Sequence, residues 1–188
     1  MTMTLEPPDL IPPRKHRVTV AEFELMIQAG VFAPDARLEL LNGEIIEMSP
    51  IGVPHAKCVR RLSKRLDRKF GDRVEVDTQN PIELPSDGRP QPDIVLYDLE
   101  LDDTELPLPE NIYLVIEVSD STLKDDRTTK LINYAREGIK EYWIVNLIHN
   151  QLEVYRDPEG ERYATTFTVK PGALQACLAF PDEPIDWR

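Results

Sequence analysis

Residues 112–118 read Ile-Tyr-Leu-Val-Ile-Glu-Val, an apolar run broken by one glutamate. A run this apolar suits a strand buried on both faces. Glu117 is out of place in it, because taking a carboxylate out of water costs roughly several kcal/mol unless a cation or good hydrogen bonds compensate. A second acid, Asp93, opens Asp93-Ile-Val-Leu-Tyr97 directly after Pro92. A paired core charge or a strand-end charge facing solvent would explain either acid alone. Two carboxylates on adjacent strands repel each other, which favours a shared bound cation. Mg²⁺ prefers one or two carboxylates, a backbone carbonyl and several waters. Ions so placed stabilise both an attacking water and a leaving phosphate oxygen. A cationic side chain would complete such a site. Lys130 is the candidate, one helical turn from Asp126 and from Tyr134, so that all three share a stripe. A surface ion pair between Asp126 and Lys130 is the plainer alternative.

The rest of the chain supplies a scaffold. Thr19-Val-Ala-Glu22 is a capping box, predicting a helix to about Ala29 that closes at Gly30. Asn42-Gly43 joins two short apolar runs and predicts a hairpin. From His55 to Phe70, Cys58, Val59, Leu62, Leu66 and Phe70 recur at helical spacing, and Gly71 ends the run. Extended segments are expected over about 73–84 and 92–98, separated by the turn Pro85-Ser-Asp-Gly88. A helix follows from about Asp125 to Glu137, then a strand over Glu141–Asn146. A last hairpin turns at Asp157-Pro-Glu-Gly160. This order predicts an α/β (α+β) fold, a mixed central sheet flanked by helices with an N-terminal helix and hairpin.

A length of 188 residues fits one domain, assigned to 18–188 behind an extended, proline-rich tail at 1–17. The tail lacks the pattern of a signal peptide. No segment approaches the roughly 18 apolar residues of a membrane span. Cys58 and Cys177 lie far apart in no metal-like spacing and read as reduced thiols, consistent with the cytoplasm. Net charge is −12, which argues against broad attraction to nucleic acid. Residues 55–73 run the other way. They carry Lys57, Arg60, Arg61, Lys64, Arg65, Arg68, Lys69 and Arg73 against only Asp67 and Asp72. This basic helix is either a phosphate-tracking face or an ordinary solvated one.

Gln91-Pro-Asp93 followed by Glu117-Val-Ser119 resembles the signature of PD-(D/E)XK nucleases. The wider text is similar to the Uma-two family over about residues 18–157. It includes Leu38-Glu-Leu-Leu-Asn-Gly-Glu-Ile45, His55, Gln79-Asn-Pro81, Asp126-Arg-Thr-Thr-Lys130 and Tyr134-Ala-Arg-Glu-Gly-Ile-Lys-Glu-Tyr-Trp-Ile-Val145. The resemblance implies a restriction-endonuclease-like core that hydrolyses DNA phosphodiesters with Mg²⁺ or Mn²⁺. It implies Asp93, Glu117 and the Val118 carbonyl as metal ligands. Glu39 would be a further acidic contact or a cross-strand partner, and His55 a phosphate or water contact or a helix-terminal hydrogen bond. Gln79, Asp126 and Tyr134 would be accessory. If the basic helix is a phosphate-tracking face, Lys57, Arg60, Arg61 and Lys64 are its candidate nucleic-acid contacts. Where the signature has lysine this chain has Ser119. The resemblance assigns that role to Lys130, migrated to the next helix, with Lys124 as the substitute. A nuclease fold retained as a binding or assembly module is the alternative. A homodimer is expected, with Leu152–Tyr155 and the segment ending in Trp187 as interface pieces.

Overall fold

The computed structural model describes residues 14–86 and 88–188. Most of the expected tail, and Asp87 in the expected turn at 85–88, lie outside them. Helix α1 (Val20–Gln28) starts at the Thr19 capping box, with Thr19 and Glu22 exchanging hydrogen bonds. Strands β1 (Leu38–Leu41) and β2 (Glu44–Glu47) form the predicted hairpin. Asn42 and Gly43 take φ of 53° and 73° at its turn. Leu40 exchanges two backbone hydrogen bonds with Arg89, docking the hairpin on the chain that leads into the main sheet.

That sheet has six strands in the order β3-β4-β5-β6-β7-β8. They are β3 (Val74–Asp77), β4 (Ile94–Asp98), β5 (Ile112–Ser119), β6 (Glu141–Asn146), β7 (Gln151–Glu159) and β8 (Arg162–Val169). All neighbours are antiparallel except β5 and β6, whose parallel pairing requires the crossover helix between them. Period-2 alternation gives the sheet two apolar faces. Ile94, Leu96, Leu114, Ile116, Val118, Trp143 and Val145 meet helix α2 (Val53–Phe70) and the C-terminal segment on one face. Val95, Val115, Tyr142 and Ile144 pack with Tyr134, Ala135 and Ile139 on the other. The buried stripe of α2 is the predicted one: Cys58, Val59, Leu62, Leu66 and Phe70. Both cysteines are free and buried. No helix among the described residues is long and apolar enough to cross a membrane.

Four expectations need correction. The strand expected over 73–84 stops at Asp77, whose carboxylate accepts from Thr78 N and Asn80 Nδ2, each at 2.7 Å, and turns the chain. The helix expected over 125–137 is α3 (residues 123–136), interrupted by a π-helical turn at Asp126–Lys130. The last hairpin turns at Gly160-Glu161, because β7 runs on through Pro158. The β6–β7 register ends at Glu141↔Arg156, so the missing N–H of Pro158 costs no ladder bond to β6. The expected interface pieces are internal. Residues 152–155 lie between two paired strands, and Trp187 is 1% exposed within the core beneath α2.

Candidate active site

The β4–β5 register pairs Val95 with Val115 and Ile94 with Ile116. One step further along the ladder, Asp93 faces Glu117. Asp93 shares parity with Val95, and Glu117 with Val115, so both carboxylates belong to the α3 face of the sheet. Asp93 N lies 3.4 Å from Glu117 Oε2, which makes the two acids immediate neighbours. Val118 N donates to Asp93 Oδ2 at 2.9 Å, and His55 Nε2, from the first turn of α2, meets the same oxygen at 2.9 Å. Gln79 Nε2 donates to Oδ1 at 3.3 Å.

Helix α3 brings the lysine. Lys130 Nζ donates to Glu117 Oε1 at 2.9 Å and to Glu39 Oε1 at 3.0 Å. Tyr134, one turn later, donates its hydroxyl to Glu117 Oε1 at 3.0 Å. Glu39 faces Ile46 across the hairpin but turns into the site, where it also accepts from Gln91 N. A surface pair between Asp126 and Lys130 is not what forms. Asp126 accepts instead from Ser119 Oγ and Thr122 Oγ1, each at 2.6 Å. Ser119 thus holds the start of α3 rather than occupying the cleft.

The π turn is where these side chains are set. Leu131 N reaches back five residues to Asp126 O, and Tyr142 Oη donates to the same carbonyl at 3.1 Å. Single π turns inside α-helices recur at functional sites. Arg127, within the turn, points to the far side and makes two hydrogen bonds to Glu153. Sequence spacing gave no sign of the Ser119, Thr122 and Arg127 contacts. Alternation along Leu152-Glu-Val154 does place Glu153 on the α3 face.

The site is crowded with negative charge. Exposure is 3% for Glu39 and Glu117, 7% for Asp93, 2% for Asp126 and 7% for Lys130, so four buried carboxylates surround one ammonium. Burial pushes the Glu117 carboxyl well above its usual range; Lys130 opposes this, while Asp126, Asp93 and Glu39 add to it. Burial alone would make Lys130 easier to deprotonate, yet Glu117 and Glu39 hold it protonated beyond the ordinary lysine range. Burial likewise raises Asp126. His55 is raised because the hydrogen bond and charge of Asp93 outweigh its desolvation.

Glu39, His55, Asp93, Glu117, Asp126 and Lys130 open onto one cleft of about 250 Å³, with Arg37 and the loop at 48–52 on its other wall. Sequence reasoning did not single out Arg37. Lys57, Arg60, Arg61 and Lys64 are exposed on α2, opposite its buried stripe, and none lines the cleft. Lys124 is also exposed and away from it. Among the described residues no group of three or more His, Cys, Asp or Glu side chains is arranged to hold a metal ion. Asp93 and Glu117 are two adjacent carboxylates, hard oxygen donors of the kind and number that Mg²⁺ takes while keeping waters.

The family model Uma2, described as "Putative restriction endonuclease", matches residues 20–185. Among solved structures, the chain is similar to one described as "a putative nuclease belonging to DUF820 from Anabaena variabilis ATCC 29413". The two share 15% identity over 90% of this chain and 95% of that one, with a TM-score of 0.71. At that identity the likeness is one of fold alone. Among curated proteins none matches.

Proposed function

The chain belongs to the Uma2 family, and on that premise we propose that it is a divalent-metal-dependent endonuclease hydrolysing DNA phosphodiester bonds. The observation that carries this reading is the cluster of buried carboxyl groups, four about one lysine with Asp93 and Glu117 side by side at neighbouring strand ends, at the base of an open cleft. A bound cation offsets the cost of that cluster. Asp93, Glu117 and the Val118 carbonyl would hold Mg²⁺ or Mn²⁺. When bound, the ion supplies Lewis acidity toward the phosphate and lowers the pKa of water.

The chain's own residues do the remainder. His55, Gln79 and Val118 N fix the Asp93 carboxylate, and Tyr134 and Lys130 fix that of Glu117. An ammonium has three donors. Two of those on Lys130 go to Glu117 and Glu39, leaving a third to meet charge developing on a phosphate oxygen. We place the protein in the cytoplasm, in keeping with two unpaired thiols. A homodimer, checked by sedimentation, would present two sites to two strands. A second reading, a binding or assembly module with little turnover, is favoured by the absence of the α2 cations from the cleft.

The test is divalent-ion binding by calorimetry, then nicking of supercoiled plasmid, with Asp93→Ala, Glu117→Ala and Lys130→Ala beside the wild type. Both acid variants are expected to lose binding, and all three to lose at least about a hundredfold in nicking, the scale of one lost electrostatic contact. Wild-type binding without nicking would favour the module. No binding, with or without DNA, would sink the metal reading.

A further inference from the structure

Four non-glycine residues among those described have positive φ: Asn42 (53°), Gln79 (56°), Asn150 (51°) and Asp157 (60°). Three are Asn or Asp, whose short polar side chains tolerate the left-handed region. Gln79 has no such excuse. Its neighbours impose the conformation: Asp77 binds Thr78 N and Asn80 Nδ2 on either side, and Gln79 N donates to Pro92 O at 3.0 Å. Glycine would meet these constraints without strain. Gln79 is only half-buried, so core packing does not call for a long side chain here. What that side chain does is donate to Asp93 Oδ1 at 3.3 Å.

We infer that Gln79 is a positioning residue for Asp93, its backbone held in a strained conformation so that its amide steadies the carboxylate oxygen that His55 and Val118 N leave uncovered. Those two donors both act on Oδ2. A carboxylate held only by Oδ2 can pivot about it; a donor on Oδ1 stops the pivot and fixes the plane that faces Glu117. Strain of this kind persists where surrounding structure over-determines it, and it clusters at functional sites. The link to metal binding rests on the nuclease reading; the orientation of Asp93 does not.

Gln79→Gly and Gln79→Met separate backbone from side chain. Both delete the donor; only glycine relieves the strain, and Met keeps the length of Gln. Both variants are expected to bind Mn²⁺ about tenfold more weakly by calorimetry, the scale for lost partners of metal ligands. The metal-free glycine variant is expected to melt about 2–4 °C above the Met variant. A crystal structure of the metal-free Met variant should show the Asp93 carboxylate rotated relative to wild type. Wild-type Mn²⁺ affinity in both variants, with Asp93 unmoved, would overturn the inference. If the wild type binds no Mn²⁺, the metal reading fails separately, and the Asp93 rotation alone decides: rotated supports the positioning role, unmoved ends it.

Discussion

Lys130 shows how a single residue is made indispensable by its surroundings. Its two carboxylate partners come from elements 91 and 13 residues away in sequence, and burial shuts out water as a substitute. Replacing it with Met would leave Glu117 buried without a counter-charge. Glu117 already binds its proton more tightly folded than unfolded, so between those two pKa values the folded state holds more protons and stability falls as pH rises. Lys130→Met is therefore expected to cost about 3–5 kcal/mol at pH 8 and distinctly less at pH 5, by urea denaturation. Equal losses at both pH values would mean that Glu117 is not the group left without a counter-charge. Asp93 and Glu117 were legible in the sequence because a charge inside an apolar strand has few structural explanations. Glu39 was legible only as an acid on a hairpin. Nothing local says that it turns inward, since its partners Gln91 and Lys130 arrive from distant segments.

Elements follow local chemistry until tertiary contacts intervene. The capping box of α1, the Asn-Gly turn and the stripe of α2 were readable because each is a pattern within one turn or one strand pair. Strand β3 was overestimated because the Asp77 side chain competes with the ladder for backbone donors. The π turn was invisible because it depends on Tyr142 and Glu153 from other strands. The α2 stripe supports a further expectation. Leu62 is fully buried against the sheet, and Leu62→Asp should destabilise the fold by at least about 3 kcal/mol in thermal or urea unfolding, through a lost apolar contact and a buried charge. An unchanged melting temperature would contradict the orientation of α2.

Across the whole molecule, the basic residues between 55 and 73 divide by task. Arg65 pairs with Asp186, Lys69 donates to Pro184 O, and Arg73 pairs with Glu183 while lying over the Phe180 ring. These three strap the segment 180–188 onto the helix. Lys57, Arg60, Arg61, Lys64 and Arg68 stay exposed on its outer face. Charge counting along the sequence found the asymmetry but not this division, which requires knowing where the distant segment returns. Trp187 completes the strap, its indole N donating to Ala173 O at 3.1 Å beside Cys177 and Ile185 in the core. Trp187→Ala is expected to cost about 3–5 kcal/mol by denaturant titration, as for other large-to-small core changes. A loss under about 1 kcal/mol would mean that the strap is peripheral. The strap also sets an order on biosynthesis. A ribosome delivers α2 and β5 long before residue 187, so the seat of Trp187 in the core beneath α2 stays unfilled until that residue arrives. During that interval the nascent chain presents a sticky face that invites chaperone capture, and closure of this half of the core falls at the end of synthesis of this stretch, not during it.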